Sequence, residues 1–443
     1  MLRDTQDATS IETAAGSIRK VAFASFIGTA VEWYDFYIYG TAAALVFPKL
    51  FFPQFSPLTG TLASFATFGV AFIARPVGGI VFGHFGDRVG RKAMLVTTLL
   101  LMGAATFLVG LLPTYARAGV VAPVLLTVLR FLQGFAVGGE WGGATLMTVE
   151  HSPASRRHFY ASWPQVGSPA GLILATTVFG AFSSLSDPQF FAWGWRVPFL
   201  LRLGLIVVGV FIRLRILESP AFAQIKEHGQ ESRVPMLEVL RDFRANVFLA
   251  IGTVLVVYNY VITTFTPVYL IQRLGVPRSV ALIGLVLGGI TAAAGALTLA
   301  RVADRVGVRV VALSVISVTL FLDFPFFWLI NTRRAALIWL AMGSWMFFNG
   351  AFWGVLGVIL AEMFPVRLRY SGISFTYQVA GVLGGGLAPI IATGLIEWAH
   401  GATWPVAAYL AAIALASLLA VYFGSQRYPA WKDGDPLTPS AIQ

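Results

Sequence analysis

No cysteine occurs anywhere in the 443 residues. Disulfides, thiolate metal sites and iron–sulfur clusters are therefore excluded. Histidine is nearly as scarce: the five present form neither an HxxxH nor an HExxH spacing, which leaves little signal for a metal. The chain also lacks a GxSxG elbow and a P-loop, so no enzyme reading finds support and direct ATP drive is disfavoured. The largest deficit is charge. Charged residues make up 12% of the chain, about half of what a soluble globular protein carries. With 57% hydrophobic residues, 36 Phe, 12 Trp and a mean hydropathy of +0.77, the composition is that of an all-α polytopic membrane protein.

The net charge of +11 does not point to nucleic acid, because Lys and Arg are scattered between apolar segments. Twelve such segments are long enough to span a bilayer. They lie near 21–47, 60–83, 93–113, 121–147, 159–182, 197–216, 246–271, 279–302, 309–330, 335–361, 372–395 and 404–424. An even number places both termini on one side. If that side is cytoplasmic, its loops and tails hold 20 of the 31 Lys and Arg, against 7 on the other side. This bias orients both ends inward. The polar start, 1–20, reads as a cytoplasmic tail rather than a signal peptide, because the apolar run that follows is too long for one. The expected organisation is a six-helix bundle over 21–216, a cytoplasmic linker over 217–245, a second bundle over 246–424 and a cytoplasmic tail over 425–443.

An internal repeat supports two halves. "GHFGDRVGRK" after the second span matches "ARVADRVGVR" after the eighth, with Asp87 answering Asp304 at an offset of 217. "GGEWGG" matches "NGAFWG", and Glu150-x-x-Pro153 matches Glu362-x-x-Pro365, both at 212; Gln165 answers Gln378 at 213. Two parallel six-span repeats place a binding site at their interface near the midplane.

These residues carry a resemblance. "GHFGDRVGRK" is similar to the signature loop of the major facilitator superfamily, and Ala300 departs from it in the second copy. "EWYDFYIYG", "ARPVGG", "RFLQGFAVGGEWGGA", "GWRVPFLL" and "FPVRLRYSGISFTYQVAGVLGGGLAPIIAT" resemble the metabolite:proton symporter family. The resemblance implies twelve transmembrane helices in two pseudo-symmetric bundles, in a bacterial inner membrane. It implies a small organic substrate such as shikimate, α-ketoglutarate, citrate, or proline and betaine. The extended C-terminal coiled coil of some osmolyte transporters is missing from "YPAWKDGDPLTPSAIQ".

Against that background the embedded charges stand out. Glu32 and Asp35 are three residues apart on the first span, so they share a helix face with Tyr39. At 1.5 Å per residue, Asp35 lies roughly 21 Å along the axis, near the middle of a core about 30 Å thick. Burial favours the neutral acid and a neighbouring cation favours the carboxylate, so these two are the candidates for proton coupling. Arg130, at similar depth, is the expected counter-ion, with Gln133 and Trp141 on its face. Arg75 and Glu140 are expected to form an embedded ion pair, Arg202 to snorkel to the interface, and Asp323 has no assigned role. Tyr258, Asn259, Trp353 and Gln378 are the second-half candidates for substrate contact.

In the family a charge network holds the halves together on the inner side. Asp87, Arg88, Arg91 and Glu150 have the composition for such a cytoplasmic gate, and Asp304, Arg305, Arg309 and Glu362 look like a weaker second copy. The expected function is proton-coupled uptake of a small organic anion or zwitterion by alternating access. The proton is the coupling ion, no cofactor is needed, and the working form is a monomer in the lipid bilayer. The alternatives are proton-driven efflux, to which "GSPAG" at 167–171 lends a partial motif, and betaine or proline uptake. A sensor would need a soluble domain, for which no stretch is available.

Overall fold

The computed structural model describes residues 2–214, 227, 234–258 and 260–427. Among the described residues there is no strand. The helices that organise the chain are α1 (Leu2–Leu45), α2 (Pro57–Gly86), α3 (Arg91–Leu111), α4 (Val121–His151), α5 (Trp163–Ser183) and α6 (Arg202–Leu214). The second half continues with α7 (Arg244–Val254), α8 (Arg278–Val306), α9 (Val308–Asn331), α10 (Ala335–Glu362), α11 (Arg369–Ala380) and α12 (Trp404–Arg427). Eleven helical segments among the described residues are long and apolar enough to cross a membrane. The first expected span lies within α1, where Glu32 and Asp35 lower the apolarity of the segment. That helix also runs through the polar start, 2–20. Most of the expected linker and the end of the chain, 428–443, lie outside the described residues.

The repeat seen in the sequence is built into the backbone. Gly90 and Gly307 occupy equivalent places in the two "DRVG" loops, with φ of 130° and 87°. Both precede the first residue of a helix, α3 and α9, and only glycine adopts such angles without strain. The crossings repeat as well. A Cβ on Gly138 of α4 would sit 2.3 Å from the Arg75 carbonyl oxygen of α2, and one on Gly350 of α10 would sit 2.2 Å from that of Ala292 on α8. Arg75 and Ala292 are themselves 217 residues apart. Within a bilayer, helix association depends on such close backbone packing rather than on apolar burial. Gly138→Ala is expected to destabilise the protein by about 1–3 kcal/mol, because the opposing atoms are backbone and must shift as a unit. Gly180→Ala, where a Cβ meets nothing within 4 Å, serves as the control. Thermal unfolding of the purified protein checks the pair, and equal melting temperatures would contradict this packing.

Two spans differ from the unbroken helices expected of them. The seventh follows α7 with a tight turn at Leu255–Val257, reaches an extended residue at Tyr258 (ψ 95°), and resumes in a π-helical turn at Val261–Phe265. The eleventh follows α11 with a π-helical stretch at Gly381–Gly386 before Ala388–Trp398. Gly381 and Gly385 face Tyr258, so the two irregular segments pack on each other. Hydropathy averaged over a span carries no sign of this, because the residues flanking each break are strongly apolar. Such bulges are frequent at functional sites.

Candidate functional site

The shared face of Glu32 and Asp35 divides in two. Residues three apart on a helix point about 60° from each other, which is enough to give each carboxylate its own surroundings. Asp35 turns to the start of α6, where the Nε of Arg202 lies 3.1 Å from its Oδ2. Both side chains are buried, at 1% and 0% exposure. Arg202 also donates from Nη1 to the Val31 carbonyl at 3.1 Å. The expected counter-ion Arg130 is thus not the direct partner of Asp35, and Arg202 does not snorkel. The chain turns at Leu201 and restarts as a helix at Arg202, which directs this guanidinium into the bundle. Position along the chain shows depth but not this change of direction.

Arg130 belongs to a different arrangement. Its Nη1 donates to Gln133 Oε1 at 3.0 Å, and Gln133 Nε2 donates to Thr106 Oγ1 at 2.8 Å. Thr106 neighbours Asp35, although neither carboxylate oxygen makes a hydrogen bond to it. Polar groups thus extend from Arg130 to the vicinity of the Asp35–Arg202 pair. The guanidinium itself lies over Tyr39 at 4.1 Å and Phe68 at 4.8 Å. Tyr39 in turn hydrogen-bonds Thr67 at 2.8 Å. Nε and Nη2 of Arg130 are buried and make no hydrogen bond. A buried donor in this condition calls for a partner or an explanation.

Arg75 shares this neighbourhood. It lies over Phe72 at 4.5 Å and Phe36 at 5.3 Å, while Glu140 accepts from Thr98 Oγ1 at 2.6 Å on α3. The expected Arg75–Glu140 pair does not form, because the two side chains leave their helices towards different neighbours. Glu32, Arg75, Arg130 and Gln133 line one small cavity with Trp33 and Phe36. Measured to the centre of a water molecule it has about 10 Å³, room for a single water at most.

A second cavity, about 40 Å³ on the same measure, opens on the other side of Trp33, between the two halves. Tyr37, Gln165, Ser168, Tyr260, Thr263, Asn349 and Trp353 line it, and no charged residue does. The indole of Trp353 meets Trp33 edge-on at 5.8 Å, and its buried Nε1 makes no hydrogen bond. The remaining candidates pack at or near the seam between the halves instead of lining a cavity: Gln378 and Trp141 reach across it, and Tyr258 bonds within the second half. Gln378 Nε2 donates to the carbonyls of Val137 and Gly138 at 3.2 and 3.3 Å. Trp141 stacks on Tyr377 at 3.7 Å and donates to Gln165 at 3.1 Å. Tyr258 donates to the Tyr377 carbonyl at 2.8 Å. Asn259 lies outside the described residues. Asp323 is buried and accepts from Trp345 Nε1 at 2.8 Å.

At the end that carries the "DRVG" loops, here termed the basic end, the halves are clasped twice. Asp87 accepts from the backbone N–H of Tyr370 at 3.2 Å and of Ser371 at 2.8 Å, at the start of α11. Asp304 accepts from the N–H of His158 at 2.9 Å and of Phe159 at 3.1 Å, just before α5. The recipients are 212 residues apart, so each half offers a carboxylate to the same helix start of the other. The positive end of a helix favours such an anion. Burial pushes the Asp87 carboxyl up to about 6, opposed by the Arg91 charge and by the Ser371 and Tyr370 hydrogen bonds. Glu150 forms ion pairs with Arg91 and, at 3.2 Å, with Arg369, and Arg91 also donates to the Val366 carbonyl at 3.1 Å. Glu362 lies within electrostatic reach of Arg157 and Arg369. Arg88 and Arg305 are exposed; Arg88 approaches His84 at 3.4 Å. The second clasp is as complete in its backbone bonds as the first, not weaker. The sequence marked the acids but not their recipients, which are main-chain groups and leave no trace in residue identity.

Two helical halves with equivalent glycine crossings, an arginine-lined cavity within the first and an uncharged cavity between the two, define a polytopic membrane protein of the two-bundle class. The chain belongs to the Major Facilitator Superfamily, whose family model matches residues 22–376. It is 43% identical over 414 residues to the shikimate transporter of Escherichia coli strain K12, covering 90% of this chain and 93% of that one. It is 41% identical to the inner membrane metabolite transport protein YhjE of the same organism, over 92% of this chain and 94% of that one. The proline/betaine transporter of that strain is 34% identical, over 91% and 83%. The proton:xylose symporter XylE bound to 6-bromo-6-deoxy-D-glucose superposes with a TM-score of 0.75 over 96% of this chain and 98% of that chain. At 17% identity that likeness establishes the fold. These relatives are metabolite transporters of the kind read from the sequence motifs, and the protein is a multi-span transporter rather than an enzyme.

Proposed function

We propose that the protein carries a small organic anion or zwitterion inward together with a proton, by alternating access. The observation that carries the reading is Arg130, a buried guanidinium with two unused donors beside a cavity between helices. A planar fork of this kind suits a carboxylate better than a lysine would. Glu32 lies in the same cavity and competes with an incoming anion for the cations. Asp35 takes the coupled proton; its neutralisation loosens Arg202, and the polar groups at Thr106 and Gln133 pass that change to Arg130. The halves then part at the basic end, where Asp87 and Asp304 let go of the helix starts they cap.

The second cavity narrows the substrate class. Its lining offers rings, hydroxyls and amides without a cation, so one carboxylate at Arg130 and an uncharged body between Trp33 and Trp353 suit the pair. A second carboxylate placed there would be desolvated without a partner, at a cost of several kcal/mol. The relatives named for shikimate and for proline or betaine agree with a solute bearing a single carboxylate. The excess of Lys and Arg supports a cytoplasmic basic end and cytoplasmic termini, and a relative named for the inner membrane supports an inner-membrane location. Both cavities form within one chain, so a monomer suffices. The glycines of "GSPAG" pack on α1, where Cβ atoms on Gly167 and Gly171 would meet the Phe26 and Ala30 carbonyls at 2.7 and 2.5 Å. Helix packing accounts for them without an antiport motif.

The test has two stages. Purified protein is screened by thermal shift against monocarboxylates, dicarboxylates and betaines; a true ligand at 100 times its Kd stabilises by about 2.7 kcal/mol. The best ligand is then added to proteoliposomes with a pH-sensitive dye outside. Symport raises the external pH as solute enters, whereas solute uptake that lowers it establishes exchange and overturns the reading.

A further inference from the structure

The two halves carry the same Trp–Gln pair but use it differently. In the first, Trp141 Nε1 donates to Gln165 Oε1 at 3.1 Å. Their counterparts in the second, Trp353 and Gln378, stand at offsets of 212 and 213 and do not bond one another. Gln378 turns across the seam to the Val137 and Gly138 carbonyls. Trp353 Nε1 is left buried without a hydrogen bond. The bonded pair leaves a donor over as well. An indole N–H can only donate, so the bond from Trp141 fixes Gln165 Oε1 as the acceptor and Nε2 as the free end of the amide. That Nε2 makes no hydrogen bond, in a residue 4% exposed.

We infer that Trp353 and Gln165 form a recognition site for an oxygen acceptor (a hydroxyl, keto or ether group) on the body of the solute. The inference rests on the transport reading for the carboxylate at Arg130 and adds what the other end of the solute must carry. Gln165 stands on α5 of the first half and Trp353 on α10 of the second, and both are on the wall of the larger cavity. Trp33 lines this cavity and also the smaller one that Arg130 lines. One molecule reaching past its ring can occupy both. A solute oxygen in the larger cavity satisfies donors from both halves at once, which ties the halves together around the load.

The sense of these donors chooses between solutes that the rings alone would admit. Trp33, Tyr37, Tyr260 and Trp353 are of the kind that surrounds an ammonium or trimethylammonium group. No carboxylate lines that cavity, however, and the two unmet N–H groups present the positive ends of their dipoles. A cation would leave both donors unpaired. An oxygen pairs them. Tyr260 does not decide the matter: its buried hydroxyl also makes no hydrogen bond, but a hydroxyl can give or accept. Asn349, on the same wall, is bonded through Nδ2 to the Val256 carbonyl at 3.0 Å. The class that fits is a monocarboxylic acid with an uncharged, oxygen-bearing body. A site built to hydrogen-bond a substrate group discriminates against analogues that lack it, because its own polar atoms are then stranded.

Three ring acids of one shape provide the test. The first, 4-oxocyclohexanecarboxylate, carries an oxygen that only accepts; cyclohexanecarboxylate carries none; trans-4-aminocyclohexanecarboxylate carries an ammonium. Their Kd values are measured by titration calorimetry on the purified full chain in detergent. The oxo acid should bind more tightly than cyclohexanecarboxylate by up to about tenfold for each donor it meets, and the amino acid more weakly than either. Trp353→Phe keeps a ring and removes the N–H. It should lower the preference for the oxo acid by up to about tenfold, a ratio that a general loss of binding or folding would not move. Gln165→Met should lower it likewise. Arg130→Gln should weaken both acids alike and preserve the preference. Equal affinity for the oxo acid and cyclohexanecarboxylate, a preference unchanged in both variants, or tighter binding of the amino acid or of glycine betaine would each overturn the proposal. Acids that bind Arg130→Gln as they bind the parent chain would instead overturn the carboxylate reading on which it rests.

Discussion

Arg202→Gln is expected to lower stability by about 3–5 kcal/mol, the cost of leaving a buried carboxylate without its cation. Asp35 is 1% exposed and Arg202 is its ion-pair partner, so no solvent is at hand to take over. Asp35→Asn alone should also destabilise, because the same pair is broken from the other side. Asn at 35 with Gln at 202 removes both charges at once and should recover most of the loss. The coupling energy of that double-mutant cycle is the quantity to measure. The cycle separates two jobs that a single substitution confuses. In proteoliposomes, Asp35→Asn should abolish accumulation against a gradient driven by protons while exchange of labelled for unlabelled solute continues. A double variant no more stable than Arg202→Gln, or an Asp35→Asn protein that still accumulates solute with an imposed proton gradient, excludes Asp35–Arg202 as the coupling pair.

Arg130→Gln should raise the substrate Kd by at least about 100-fold. A hydrogen bond to a charged group contributes roughly 1.5–3 kcal/mol, and two parallel ones are available from this side chain; each 1.4 kcal/mol is a factor of ten. Arg130→Lys should fare nearly as badly, because an ammonium keeps the charge but loses the fork. Stability should change little in either variant. The guanidinium already holds two buried donors without acceptors, and removing them relieves desolvation that the fold otherwise tolerates. Ligand-induced thermal shift reads both effects in one experiment. Affinity preserved in Arg130→Lys would mean that charge alone, not planar recognition, defines the site.

The particular residues show how far sequence carries the argument. Asp87 and Asp304 were recognisable because the repeat places them at one offset and their loops share "DRVG". Their partners were hidden, since the N–H groups of Tyr370, Ser371, His158 and Phe159 belong to every residue type. Arg130 and Gln133 stood out as polar residues on an apolar helix. Arg202 was visible but misplaced, because a restart at Leu201 turns its side chain inward. Arg75 and Glu140 were paired on depth alone, and depth says nothing about azimuth: one faces Phe36 and Phe72, the other Thr98. Trp141 was assigned to the substrate from its place on the Arg130 face and Gln378 from its place in the repeat, and both lie at the seam between halves. The break at Tyr258 was illegible in hydropathy, which averages over the residues on both sides of it.

Composition, hydropathy, the distribution of Lys and Arg and the internal repeat determined by themselves that this chain spans a membrane as two like-oriented halves. These properties are sums over many residues, and lipid admits few architectures that satisfy every backbone group. Which acid meets which base, and which aromatic ring lines a cavity rather than a seam, was decided by tertiary structure alone. Those outcomes turn on rotations of tens of degrees about helix axes, on breaks in two spans and on backbone donors, and none of these is written in the identity of a residue.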